Sequence, residues 1–156
     1  MYIAYASSSC GRSTIGQEEI HCVQVHDVKE AVLELVANHS IACFAPQGTG
    51  VKIYNWSGVP KHINFNKTVK CLAMMGDKLY CGCTAFSIQC ITVNNDFIFT
   101  ATRFGTIEAW LKERVTRVAS IKMGSGGNAK ITCLTSDKDG QMLFAASSDG
   151  KIQVKF

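Results

Sequence analysis

The stretch that decides the fold is "LFAASSDGKIQVKF", residues 143–156. Ser147-Ser148-Asp149-Gly150 stands between two short runs of alternating apolar and polar residues. Such a pattern reads as a strand, a tight turn and a second strand, because Asp-Gly tolerates the positive φ that hairpin turns demand. Three other segments line up with it: "SIACFAPQGTGVKIYNW" (40–56), "KLYCGCTAFSIQ" (78–89) and "FIFTATRFGTIEAW" (97–110). Each opens as an alternating strand, turns through small residues and resumes as a strand. Gly50, Gly105 and Gly150 fall in register. Each segment also follows a further strand and corner: "VLELVANHS", "VKCLAMMGDK", "CITVNNDF" and "ITCLTSDKDGQ". The repeating unit is therefore a meander of at least three antiparallel strands, with almost no helix.

Spacing sets the kind of repeat. Ile41 to Leu79 is 38 residues and Ile98 to Leu143 is 45, close to the ~40–45 of a four-stranded propeller blade. Leu79 to Ile98 is only 19. There "SIQ" runs into "CITV" with no room for an outer strand and its return, so a block is expected to be missing between Gln89 and Cys90. The units expected are 20–57, a truncated 58–89, 90–112 and 113–156, after a lead over 1–19 that is a blade remnant or disordered.

These residues resemble a family. "SSDGKIQV", "GTIEAW" and "GVKIYNW" look like the ends of WD-repeat (WD40) blades, where Asp-Gly precedes a strand ending in Trp or another aromatic. "VKCLAMMGDKLYCGCT" and "NDFIFTATRFGTIEAWLKERVTRVASIKM", with the neighbouring segments over about 16–154, resemble the C-terminal propeller of plant U-box/armadillo/WD ubiquitin-protein ligases of the LIN (CERBERUS) type. That group is implicated in root-nodule infection. The resemblance implies a hydrogen-bonded set of His, Ser/Thr, Asp and Trp in each blade. His26, Ser147, Asp149 and Trp110 are its candidates here, with Gly105 and Gly150 at the turns. The departures are Lys155, where Trp110 and Tyr54 supply an aromatic elsewhere, and Ala85-Phe86 in place of Asp-Gly. Neither a U-box nor an armadillo repeat is legible, so no ubiquitin-transfer chemistry is expected of this chain.

Composition bounds the remaining function classes. At 156 residues the chain is long enough for one ordinary domain with a core. A net charge of +4, dispersed, does not point to nucleic acid. No apolar run reaches membrane-spanning length, and the N-terminus lacks the basic lead of a signal peptide. A reducing, cytoplasmic or nuclear setting is expected, where the Asn38, Asn55 and Asn66 glycosylation matches are chance.

Most of the eight cysteines lie in strand-like runs. Cys81 and Cys83 share one strand face, which suits burial, and no Cys-x-x-Cys pair exists. A thiol-rich metal or redox module is the alternative of another class. "MGSGGNAK" (123–130) lacks the Gly-Lys-Ser/Thr and helix of a phosphate loop. The four histidines show no pairing suited to acid–base work or metal binding. Residues 107–122 fit either a basic amphipathic helix or strand and loop; the repeat favours strands.

The expectation is a non-enzymatic, all-β chain of about three to three and a half blades, its ring not closed, without cofactor or metal. Propellers hide their sheet edges by closing a ring. Open edges here, and an abrupt stop after Lys155, suggest a cut ring that self-associates. The function expected is a protein-interaction scaffold resembling the substrate-recognition end of a ligase, with a ubiquitination target among its partners. A splice or gene-model fragment is the runner-up. Asp27, Lys29, Glu30, Lys67, Lys70, Arg103 and Phe104 are the candidate rim residues, because loops on a rigid scaffold carry binding.

Overall fold

In the computed structural model the described residues are 28–55, 59–123, 129–137 and 139–155. Residues 32–156 form one compact unit and residues 1–31 another. Four antiparallel sheets make up the larger unit. The first contains β1 (Val32–Ala37), β2 (Ile41–Pro46), β3 (Val51–Asn55) and β4 (Lys61–Ile63). The second has only β5 (Val69–Met75) and β6 (Lys78–Cys83). After a 3₁₀ turn, Thr84–Phe86, the third comprises β7 (Ile88–Val93), β8 (Phe97–Thr102), β9 (Thr106–Leu111) and β10 (Thr116–Lys122). The fourth holds β11 (Ile131–Ser136), β12 (Leu143–Ser147) and β13 (Ile152–Lys155). Within every sheet, strands consecutive in the chain pair as hairpins. Among the described residues no helix is long and apolar enough to cross a membrane.

The first strands lie side by side, β1 beside β5, β5 beside β7 and β7 beside β11. This is the radial arrangement of propeller blades, and the sheets leave the ring open. Thirteen strands correspond to just over three four-stranded blades. Residues 107–122 are strands, not a helix: Val115, Thr116 and Val118 are β-branched, and β10 pairs with β9 from Thr116↔Leu111 to Lys122↔Thr106. Consequently β10 closes the third sheet instead of leading into the fourth.

The break in the repeat lies earlier than spacing alone suggested. Gln89 and Cys90 sit inside β7, whose ladder with β8 runs from Ile88↔Thr102 to Val93↔Ile98. The chain leaves β6 at Cys83, makes one turn over Thr84–Phe86, and starts the next sheet at Ile88. Ser87, with φ 59°, closes that turn by donating its N–H to Thr84 O at 2.9 Å. Among the described residues the second sheet has no third or fourth strand.

A repeated irregularity marks each first strand. The ladder slips at Val32/Glu34, Val69/Cys71, Ile88/Cys90 and Ile131/Cys133. Each slip is a bulge that twists the strand entering the centre of the ring. Three of the four place a cysteine directly after it.

Two apolar clusters fill the gaps between sheets. Cys43, Ala45, Val51, Val69 and Leu72 join the first and second sheets. Ile107, Met123, Ile131, Leu134, Leu143 and Ala145 join the third and fourth. The corners repeat this pairing. Asn38 Nδ2 donates to Gly76 O at 3.2 Å, and Asn94 Nδ2 donates to Gly140 O at 3.3 Å. Each asparagine also accepts two backbone N–H groups of its own turn, from Ser40 and Ile41 or from Asp96 and Phe97. The unit is thus built as two pairs of sheets. Gly82 lies where the pairs meet; a Cβ there would stand 2.4 Å from Cys71 Sγ and 2.7 Å from Ile88 Cγ2.

Gly50 and Gly150 both hold positive φ, +77° and +78°, after the second strand of their sheets. Only Gly50 is also hemmed in, because a Cβ would stand 2.1 Å from Ile63 O. Gly150→Ala should cost about 1 kcal/mol, the left-handed penalty alone. Gly50→Ala should cost about 3 kcal/mol, since backbone must also move. Urea unfolding of the two variants measures both, and equal losses would show that the close approach at Gly50 is absent.

Candidate protein-docking rim

One class of backbone hydrogen bond builds the rim. In the second, third and fourth sheets the residue leaving the second strand donates its N–H to the carbonyl just before the first strand of the same sheet. Thr84 bonds Thr68 O at 3.1 Å, Arg103 bonds Ser87 O at 3.0 Å, and Ser148 bonds Lys130 O at 2.8 Å. A second bond joins neighbouring sheets, with Gly50 donating to Lys67 O at 2.9 Å; within the third sheet, Met123 extends the β10–β9 ladder by donating to Gly105 O at 2.8 Å. The loops before first strands and the turns after second strands therefore share one edge, as propeller geometry requires.

Two cation–aromatic pairs stand on that edge. Lys67 Nζ lies 4.8 Å from the centroid of Phe86, and the Arg103 guanidinium lies 4.7 Å from that of Phe104. Both rings are about two-thirds exposed, at 65% and 66%. Water-exposed phenylalanines on adjacent tight turns have no packing reason to be there. Backbone connects the pairs, since Ser87 follows Phe86 and accepts the Arg103 N–H.

The structure places the other candidates as follows. Lys70 is exposed at the bulge of β5, one residue inside the strand. Lys29 takes a left-handed φ of 56° and lies with Glu30 in the leading unit. Asp27 and His26 fall outside the described residues. Phe86 was read in the sequence only as a poor substitute for a turn glycine. Its neighbours, Ala85 and Ser87, gave no further signal, because the cation above it comes from the loop before β5, nineteen residues earlier.

The blade-motif residues form two separate local bonds. Trp110 Nε1 donates to Thr100 Oγ1 at 3.1 Å within the third sheet. In the fourth, the Ser147 hydroxyl donates to the Asp149 carboxylate, and Lys151 Nζ pairs with the same carboxylate at 2.9 Å. The serine hydroxyl and the lysine hold the Asp149 carboxyl below its ordinary range. Gly105, at φ +74°, and Gly150 complete the turns.

The thiols are arranged for packing. Burial pushes Cys71 and Cys90 up to about 12 and Cys81 to about 11. Cys43 is raised for the same reason. Among the described residues no group of three His, Cys, Asp or Glu side chains is placed to hold a metal ion. A thiolate is the nucleophile and the metal ligand, so raised thiols oppose both uses.

Sheets of this order, laid side by side around an open ring, define a segment of a WD-type β-propeller. Solved structures carry the same fold. Hsv2 of Kluyveromyces lactis superposes at a TM-score of 0.69 over 86% of this chain and 52% of its own, with 11% identity. The computationally designed Ika4 protein gives 0.66 over 83% of this chain and 93% of its own, with 14% identity. No protein-family model matches. Sequence takes the likeness further. The chain is 44% identical, over 209 aligned positions and 90% of its length, to the protein named E3 ubiquitin-protein ligase LIN of Medicago truncatula. It is equally similar to LIN-1 of Lotus japonicus, at 44%. The chain is homologous to one segment of LIN-type ligases, and spans 14% of the length of these curated relatives. Only 90% of 156 residues take part in an alignment of 209 positions, so roughly 70 positions have no residue of this chain opposite them. That is between one and two blades' worth of chain at ~40–45 residues each.

Burial of the thiols has two measurable results. At pH 8, Cys133, exposed on β11, should react with a thiol reagent at least tenfold faster than Cys71 or Cys90. Folded thiols near 12 stay protonated where unfolded ones, near 9.0, have ionised. Their contribution to stability is therefore full below about pH 9 and lost as pH rises toward 12. Urea midpoints across that range should fall less steeply in Cys90→Ala than in the parent.

Proposed function

We propose that this chain is a non-catalytic interaction module that docks a protein partner on the rim formed by Lys67, Phe86, Arg103 and Phe104. The paired exposed rings carry the reading. Aromatic and arginine side chains on a rigid edge supply most of the energy at protein interfaces, and a cation over each ring holds it in place before binding. The partner's matching surface would be apolar at its centre with carboxylates around it, answering Lys67 and Arg103. Descent from a segment of LIN-type ligases supports a role in presenting a protein for ubiquitin transfer, with the transfer chemistry carried elsewhere. Lys70 would contribute at the periphery, and Asp27, Lys29 and Glu30 would offer binding groups of the leading unit.

Photo-crosslinking tests the reading. A benzoylphenylalanine placed at Phe86 or at Phe104 should capture the same protein from plant extract, and one placed at Val118 on β10 should not. Unlabelled parent protein should compete, and the Phe86→Ala/Phe104→Ala double variant should compete at least tenfold less well. Capture that is equal from Val118, or equal competition by the double variant, would refute docking on the rim.

The two-stranded second sheet and the roughly 70 unmatched positions favour a second reading, a splice or gene-model fragment without independent activity. A transcript carrying an in-frame, blade-sized block between the codons for Thr84 and Ser87 would establish it.

A further inference from the structure

Beside β6 lies a cleft of about 380 Å³ that is separate from the rim. Leu79, Tyr80 and Cys81 of β6 form one wall; Ile88, Ile91, Ile98 and Trp110 of the third sheet form the other. In the first, third and fourth sheets the second strand pairs with a third: β2 with β3, β8 with β9 and β12 with β13. Among the described residues the second sheet has no such third strand, and the outer edge of β6 pairs with nothing. An open edge presents a row of unpaired N–H and C=O groups, and an apolar wall beside it suits alternate side chains of an added strand.

Two residues give the cleft its polarity. Lys112 Nζ donates to Asn94 O at 3.2 Å and touches Met75 Sδ at 3.4 Å, which places its charge near the corner where β5 turns into β6. Among the described residues it has no carboxylate partner. Val115, also lining the cleft, is 65% exposed and holds φ at +50°. A β-branched residue in the left-handed region is strained, and it is held there with its apolar side chain facing water.

We infer that β6 accepts an extended peptide as an added antiparallel strand, and that the peptide is apolar at alternate positions with an acidic residue at its C-terminal end. Direction follows from the ladder. An antiparallel strand runs opposite to β6, so its C-terminal end comes to lie by Lys78, at the start of β6, near Lys112. The unmatched positions of the relatives' segment agree with this place being filled by a strand where the chain is longer. Here the strand comes from another molecule.

The test uses the full chain and fluorescein-labelled hexapeptides. One reads Val-Thr-Val-Thr-Val-Glu with its C-terminus amidated; a second ends in Lys; a third has the glutamate first. Anisotropy should show the first bound at least fivefold tighter than the other two, and amides of residues 78–83 should gain protection from hydrogen exchange. Lys112→Ala should remove the preference for glutamate. Val115→Gly should weaken binding at least threefold while leaving the melting temperature unchanged or higher, which separates lost binding from lost folding. Equal binding of the three peptides, or protection on β13 instead of β6, would overturn the inference. So would residues 78–83 already protected without peptide in a concentration-dependent dimer, because a second copy would then cover the edge.

Discussion

The structure depends on a backbone bond, made in three of the four sheets, from the end of the second strand to the carbonyl that precedes the first. A hairpin alone fixes two strands; this bond fixes where the hairpin begins relative to the loop that delivers it. With Thr84, Arg103 and Ser148 each so held, three turns come to the same height around the ring. The rim is a product of that shared register. Its phenylalanines are presented on turns pinned by the backbone bonds of Thr84, Ser87, Arg103 and Gly105, so little order remains to be imposed when a partner arrives. At the second sheet the same bond serves a chain that then departs for another sheet, so the turn keeps its place although the strand after it is missing.

Burial follows from this arrangement. A blade can hide one face against its neighbour, and with four sheets in an open row only neighbours can share. The sequence meets this with apolar positions concentrated at two seams, closed at their corners by Asn38 and Asn94. Between the pairs β5 packs along β7 near the centre of the ring, where Gly82 leaves room for Ile88, while farther out the surfaces separate into the cleft. The exposed ring of Phe86 and the unpaired edge therefore both trace to the end of the second sheet.

Much of this was legible in the chain. The Asp149-Gly150 turn and its partners at Gly50 and Gly105 announced strand–turn–strand units, and alternation around them announced strands. The 19-residue interval between Leu79 and Ile98 announced a unit too short for four strands, and among the described residues that sheet has two. The position of the break was not legible, because "SIQCITV" reads equally well as the end of one strand and the start of the next. Only pairing with β8 shows it to be a single strand. The helix-like spacing around Trp110 also misleads by itself; the positive φ at Val115 turns the chain and sends it back along β9. Phe86 lay hidden for a further reason, since its importance comes from Lys67, nineteen residues earlier in the loop that opens the same sheet.

The bulge residues give the shortened sheet a kinetic meaning. Val69 and Ile88 open neighbouring first strands with 19 residues between them, whereas Ile88 and Ile131 are 43 apart. Closing the shorter loop costs about 0.7 kcal/mol less in chain entropy, from the logarithmic dependence on length. The central strands β5 and β7 are thus the pair that meets most readily as the chain collapses. The place where the finished sheet is least complete is also where assembly of the ring is easiest to begin.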